Sequence, residues 1–475
     1  MKLITNHYIN GKFVPSHGTA QYDLINPSTN AVIGRLTLAD EKDTQDAIAA
    51  AKAALKSFSK TTKQQRSDYL QKLHDAVMER ADELIDAVME EYGAPRARAK
   101  GSTLDAANNF LAAKEALQGF EFVRSVGKSR VLLEPVGVVG IITPWNSTYG
   151  FVCNKLAMAI ATGCTSVIKP SEMSGIQVQL LTECLDKAGL PPGVFNIVTG
   201  LGDVVGAEIT RNPHISKISF TGSTVVGKII ARGAVDTMKR VTLELGGKSP
   251  NIILDDADLS RAVPLAVAAG FANSGQACIA GTRLLVPESR AEEIKALVKE
   301  TVAQVKVGPP HMEGTSVGPM VSKKQYERVQ HYIQLGIDGG AEVLIGGPGH
   351  PEGLEGGNFV KPTVFVNVTN DMTIAQEEIF GPVISMITYK TDEEAISIAN
   401  DTIYGLHAFV SGTDLVRANR VASQIEAGRV LINFLGHDAL APFGGFKQSG
   451  IGREYGVFGF EAYVEPKALL GDVLG

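Results

Sequence analysis

The sequence predicts an α/β protein built from two successive parallel-sheet units, and three observations carry that prediction. Short Val-, Ile- and Leu-rich runs alternate with amphipathic helical patterns from about 137 to 245. The same alternation returns from about 250 to 433. A length of 475 residues leaves room for both, since domains run to roughly 100–200 residues each.

The elements follow in chain order. Residues 41–118 read as helical, because stretches such as 43–58 and 70–93 place apolar side chains at i, i+3, i+4 and i+7, punctuated by Gly93 and Pro95. The run VLLEPVGVVGIITPW at 131–145 is β-rich. Further strands read at TSVIKP, FNIVTG and KISFTG, each separated from the next by a helix, which gives βαβ units and a Rossmann-like, dinucleotide-binding candidate. In the second unit, strands read at NIILD, TRLLVP, EVLIGG and RVLIN, with helices at 289–305 and 322–339. The Gly-rich segments 346–357 and 442–456 read as loops.

Composition narrows the function classes. Hydrophobic residues make up 44% and charged residues 20%, with a net charge of −6. No basic run points to nucleic acid or to a membrane surface. No stretch of about 18 apolar residues spans a bilayer, and the N-terminus lacks a signal-peptide pattern. Cysteines 153, 164, 184 and 278 form no C-x-x-C pair, which argues against a disulfide scaffold or zinc site and fits a reducing cytosol. No metal is expected.

Three residues carry candidate chemistry. Cys278 follows a small, Gly-containing turn (NSGQAC) that can present a thiol to a cleft and favour the thiolate; a lone cysteine is otherwise a small core hydrophobe. Glu244 ends a strand before Gly246-Gly247, where desolvation would suit a general base; the competing account is a strand-end carboxylate paired with Lys248. Asn146 follows the first strand, where an amide can stabilise an oxyanion or cap a helix. Lys169 and Glu172 stand after the second strand, at the place for ribose hydroxyls. The segment Phe220–Gly227 is a strand–turn–helix that departs from G-x-G-x-x-G.

Seven short motifs then occur in order: PWN at 144–146, KPSE at 169–172, FTGS at 220–223, LELGGK at 243–248, GQAC at 275–278, EEIFGPV at 377–383 and PFGG at 442–445. On these motifs the chain resembles the aldehyde dehydrogenase superfamily over nearly its whole length. The resemblance implies oxidation of a small-molecule aldehyde to its acid with NAD, NADP being possible. Cys278 matches the nucleophile, Glu244 the general base and Asn146 the oxyanion-hole amide, whose second donor is the Cys278 N–H. Lys169 and Glu172 match the adenosine-ribose contacts, and Ser223 a pyrophosphate contact. Glu378 and Phe380 match residues around the nicotinamide. Ile142, Thr143 and Trp145 border the cofactor cleft, as Gly202 and Gly206 do on the adenine side. The implied fold has a cofactor domain at 1–119 and 139–245 and a catalytic domain at 246–436. A small β oligomerisation element, formed by 120–138 with 459–475, goes with a homodimer or homotetramer.

The pocket departs from the family pattern. The family often has an aromatic-proline pair after PWN, where this chain reads Ser147-Thr148, and Asn154 stands where Trp is common. A trimethylammonium substrate, which needs an aromatic box, therefore ranks low. Phe151, Asn154, Ile279, Phe434 and Phe443 are the expected pocket residues, with His437 and Asp438 toward its mouth. Glu172 would repel a 2′-phosphate and favours NAD, although Lys169 and Ser171 leave room for NADP. Relatives that pass the acyl group to CoA typically lack the general base, and non-catalytic members of such folds lose the nucleophile; Glu244 and Cys278 are both present.

Overall fold

In the computed structural model, which describes residues 1–471, the first sheet has eight strands. Five are parallel and run in the spatial order Arg240–Glu244, Lys217–Thr221, Val138–Ile142, Thr165–Lys169, Phe195–Ile197. Chain order therefore reverses between Val138–Ile142 and Lys217–Thr221, which opens a crevice at their carboxyl ends. All three strands Val138–Ile142, Thr165–Lys169 and Lys217–Thr221 are buried along their full length, as expected for a parallel sheet with helices on both faces. The sequence reading had no strands before residue 41. Here an antiparallel hairpin, Asn6–Ile9 with Lys12–Pro15, extends the far edge of this sheet. Lys2–Ile4, Gln21–Asn26 and Ala31–Thr37 form a separate three-stranded sheet.

The helical region divides where its sequence signals stop. Glu41–Phe58 and Lys63–Glu79 each begin with a capping box, Asp40 with Asp43 and Thr62 with Gln65. The next helix, Ala81–Ala87, passes into a π-turn, Val88–Tyr92, that ends at Gly93. Pro95 precedes the helix Arg96–Gly119, since proline suits a helix start and not its interior.

The second sheet has seven strands. Six are parallel, in the order Thr363–Val366, Val383–Tyr389, Arg283–Pro287, Pro250–Ile253, His407–Ser411, Arg429–Ile432; Glu342–Ile345 pairs antiparallel at the edge. The 442–456 segment is not wholly loop: Gly450–Ile451 returns to pair with Arg240–Glu244 of the first sheet. That pairing ties the two units beside Glu244. A fourth, antiparallel sheet joins Val464–Leu469 to Ser129–Pro135 and Val123–Val126. The end of the expected 459–475 element, residues 472–475, lies outside the described residues.

Candidate active site

Strand ends supply one wall of the site. Trp145 and Asn146 follow Val138–Ile142, and Gly222 and Ser223 follow Lys217–Thr221, on either side of the reversal in strand order. With Phe151, and with Cys278, Glu378 and Phe380 from the second unit, they line a cavity of about 620 Å³.

The turn carrying Cys278 is held in an unusual backbone shape. Asn273, Ser274 and Gly275 are successively left-handed, with φ of 54°, 59° and 74°. A Cβ on Gly275 would stand 2.1 Å from the carbonyl carbon of Gly381, so the position admits only glycine. Gln276 anchors the turn by donating to the Tyr92 hydroxyl at 3.2 Å and accepting from the Val321 amide at 3.0 Å. Cys278 itself is half-buried. No helix begins there, and the expected thiolate is not favoured. Burial, then the charges of Glu378 and Glu244, push the thiol up to about 12, while its own amide and that of Ile279 pull the other way.

Asn146 does not cap a helix; Ser147 occupies that position before Thr148–Thr162. Instead the Asn146 amide donates to the Gln276 carbonyl at 3.0 Å, and Asn273 donates back to the Asn146 carbonyl at 2.9 Å. These two bonds fix Asn146 against the turn that carries Cys278.

Glu244 is buried, and neither carboxylate oxygen has a hydrogen-bond partner. The competing pairing with Lys248 is absent, because the Lys248 ammonium is also unpartnered. Glu244 sits against Gly444, where a Cβ would come 2.8 Å from Oε1. It does not line the 620 Å³ cavity, although its charge reaches Cys278. Burial and the charge of Glu454 raise its pKa well above the ordinary carboxylate value, against Lys155, Arg453 and Arg429.

Glu378 reaches the cleft from the loop before Val383–Tyr389. One oxygen accepts from the Gly247 amide at 3.1 Å, and burial raises its pKa to about 7. A Cβ on Gly246 would lie 2.6 Å from the other oxygen, so glycine keeps that space open. Phe380, at φ 64°, meets Trp145 edge-on at 5.5 Å. Ser223 caps the helix Thr224–Val235 by accepting from the Val226 amide at 3.3 Å.

Other expected cofactor residues lie outside this cavity. Lys169 and Glu172 pair with each other at 3.1 Å. Ile142 and Thr143 are buried at the end of the first strand. Gly202 and Gly206 begin and end a π-turn, Gly202–Gly206.

The substrate-side expectations divide. Phe151 lines the cavity. Asn154 does not: it is 1% exposed and donates to Glu454 at 3.0 Å. Phe434 is 54% exposed and walls nothing in this cleft. Phe443 lies under the Arg429 guanidinium at 5.1 Å, and Ile279 follows Cys278 without lining the cavity. His437 accepts from Arg429 at 2.9 Å, so it belongs to a loop clamp.

Sequence reasoning missed Glu454, which is buried between Lys155, Asn154 and Ser219. It also missed Arg328 and Tyr332, which line the cavity from the helix Lys323–Asp338; their i, i+4 spacing on one helix face was the available signal. Among the described residues, no group of three or more His, Cys, Asp or Glu is arranged to hold a metal.

The model of the aldehyde dehydrogenase family matches residues 13–469. A Staphylococcus haemolyticus chain assigned to the aldehyde dehydrogenases is 45% identical over 472 residues, 99% of both chains. The solved structure of aldehyde dehydrogenase C from Pseudomonas syringae, a cysteine-to-alanine variant with NAD+ and octanal, superposes with a TM-score of 0.96. It is 44% identical, over 98% of this chain and 96% of that one. Betaine aldehyde dehydrogenase from Staphylococcus aureus, in complex with NAD+, gives 0.95 at 34% identity, over 98% and 94%. The chain belongs to the aldehyde dehydrogenase family.

Proposed function

We propose that this chain oxidises an aldehyde to its carboxylic acid with NAD, through a thioester on Cys278. One observation carries the roles. Cys278 and Asn146 line one cavity, and an unpartnered buried carboxylate, Glu244, is close enough for its charge to be felt by the thiol.

The cleft fits a dinucleotide. It opens where strand order reverses, a 12-residue helix presents its first amides there behind Ser223, and glycine at 246 leaves room beside Glu378. Ser223 would meet the pyrophosphate, Glu378 the nicotinamide ribose and Phe380 the ring. Ile142, Thr143, Trp145, Gly202 and Gly206 would shape the cleft, and Lys169 with Glu172 would hold the adenosine ribose, favouring NAD over NADP. The dinucleotide supplies the hydride acceptor.

The protein's own steps follow. The Cys278 thiol releases its proton to solvent as its sulfur attacks the aldehyde carbon, and the oxyanion is held by the Asn146 amide and the Cys278 N–H. After the thioester forms, Glu244 takes a proton from water, and the resulting hydroxide releases the acid. A carboxylate bound to no donor loses no hydrogen bond when it does so.

An apolar aldehyde suits Phe151 on the cavity wall. Octanal, bound by the Pseudomonas syringae relative, is the first substrate to test. The cofactor part at 1–119 and 139–245, the catalytic part at 246–436 and the β element of 120–138 with 459–475 would act together in a homodimer or homotetramer. Exposed Val225, Ile229, Val235 and Met238 on and just after one helix support burial against another copy. All four cysteines are free, which supports a cytosolic setting, and no helix among the described residues is long and apolar enough to cross a membrane.

NADH formation from NAD and octanal, without CoA, tests the reading. Turnover that Cys278→Ala abolishes upholds it. NADH binding with no turnover on octanal or on aromatic, hydroxylated and semialdehyde substrates sinks it.

A further inference from the structure

The turn Lys447–Ser449 has no part in the reaction derived above, yet both units meet on it. It stands just before Gly450–Ile451, the strand that returns to the first sheet. Lys447 holds a left-handed φ of 50°, uncommon for a residue with a side chain. Its ammonium donates to the Asn400 carbonyl at 2.5 Å, and the Gln448 amide donates to the Ile403 carbonyl at 2.9 Å. These bonds seat the turn on the second unit.

Ser449 then joins the two units through one hydroxyl. The residue is fully buried. Its Oγ donates to the Gly246 carbonyl at 2.6 Å, just past the edge strand of the first sheet, and accepts from the Gly405 amide of the second unit at 2.9 Å. The roles cannot be exchanged, because an amide only donates and a carbonyl only accepts. The Ser449 carbonyl accepts from the Leu245 amide at 2.9 Å. A Cβ on Gly445 would stand 2.3 Å from the Ser449 Cβ, so the side chain is closely packed.

Ser449 does not line the 620 Å³ cavity, but Gly246 does. Gly246 has no side chain to hold it, so its carbonyl is what fixes the main chain there. That main chain lies directly on Glu378, which comes from the second unit. A Cβ on Gly246 would lie 2.6 Å from the carboxylate, and the Gly247 amide donates to it at 3.1 Å. The distance between Gly246 and Glu378 is therefore a register between the two units, and the hydroxyl that spans Gly246 and Gly405 sets it.

We propose that Ser449 is a positioning residue for the nicotinamide half of the cofactor. It holds Gly246 and Gly247 against Glu378, so that the carboxylate stands where it accepts the ribose hydroxyls. This rests on the dinucleotide reading above. Without the hydroxyl, a buried carbonyl and a buried amide lose their partner. The two segments then shift to find others, and Glu378 loses the main chain that seats it.

The test titrates NADH by fluorescence, and ADP by displacement of NADH, in the wild type, Ser449→Ala, Glu378→Gln and the double variant. ADP lacks the nicotinamide and its ribose. Ser449→Ala is expected to weaken NADH about tenfold, the scale of one lost buried hydrogen bond, and to leave ADP unchanged. The double variant should bind NADH no more weakly than Glu378→Gln alone, because Ser449 acts through Glu378. A Ser449→Ala protein with the wild-type NADH affinity overturns the proposal. So does an equal loss for NADH and ADP, or a double variant weakened by the product of the single effects. A purely structural role would lower the melting temperature and the number of binding sites per chain, with the affinity of the remaining sites unchanged. If Ser449→Ala fails to fold, Ser449→Cys repeats the series with a weak donor in the same place. No NADH binding by the wild type would overturn the dinucleotide reading and this proposal together, whereas binding that the Ser449 variants leave unchanged overturns this proposal alone.

Discussion

Glu91 and Glu244 are both buried carboxylates, and the fold treats them in opposite ways. Glu91 sits in the π-turn Val88–Tyr92 and accepts from the amides of Ile176 and Gln177 at 2.8 and 2.9 Å, and from the Gln177 side chain at 3.1 Å. Glu244 accepts from nothing. Burial raises both. The three donors bring Glu91 back to about 7, while Glu244 stays well above the carboxylate range with only the charges of Lys155, Arg453 and Arg429 opposing the shift. Glu91 ties the helical region to the helix Gly175–Lys187. Glu244 ties nothing, and the proposed reaction, with Cys278 as its partner, accounts for the cost of burying it.

The largest effect belongs to the partner of Glu244. Cys278→Ala is expected to lower turnover by at least ~10⁴-fold, with NADH binding intact by fluorescence; near-normal turnover would leave Glu244 with no reaction to serve. Glu244→Gln should slow hydrolysis by roughly 10²–10⁴-fold. A rapid first burst of NADH should survive in stopped-flow traces, with no loss in melting temperature. A loss of thermal stability like that of a Glu91 variant would erase the contrast.

Glu91→Ala should do the reverse. It removes a carboxylate that satisfies three donors, so denaturant unfolding should show a loss of about 2–4 kcal/mol, with kcat changed by no more than about twofold.

Stability against pH sharpens the comparison further. Burial makes the folded state favour the protonated form of Glu244, whereas the unfolded chain loses that proton above about 4.3. Its contribution is thus fully present below that value and falls as pH rises toward its raised folded pKa. Glu244→Gln removes this dependence, so its melting temperature should gain on the wild type as pH rises above the unfolded value of about 4.3. Equal curves would mean that Glu244 is not desolvated as described. The smallest effect concerns Cys278 without cofactor. With the thiol held near 12, iodoacetamide labelling should be slow at pH 7 and rise close to tenfold per pH unit up to pH 9; fast, pH-independent labelling would contradict the described burial.

The site was legible wherever a short stretch of chain carries both the residue and the reason for its place. Asn146 and Ser223 follow strands, and ligand crevices form at strand ends. Cys278 follows a glycine whose left-handed φ and contact with Gly381 admit nothing larger. Glu378 and Phe380 share one motif and one loop, and they reach the same cavity. Asn154 shows where such reading stops. On its helix it looked like a pocket wall, but its partner is Glu454, 300 residues away. The protonation of Cys278 was illegible for the same reason: burial in the folded site raises it most, and then the charges of Glu378 and Glu244, which come from other parts of the chain.

By itself the sequence determined the two α/β units, the family motifs and their order, and the candidates proposed as nucleophile, base and amide. Hydrophobic alternation, helix caps and glycine turns are local, and a linear chain records them directly. The tertiary structure alone decided which buried charges have partners. It left Glu244 and Lys248 without hydrogen bonds, gave Glu91 three, and turned Asn154 from the cleft toward Glu454. Desolvation and Coulomb interaction depend on distance in space, and distance in space is set only when the strand Gly450–Ile451 closes onto Arg240–Glu244 and brings the two units together.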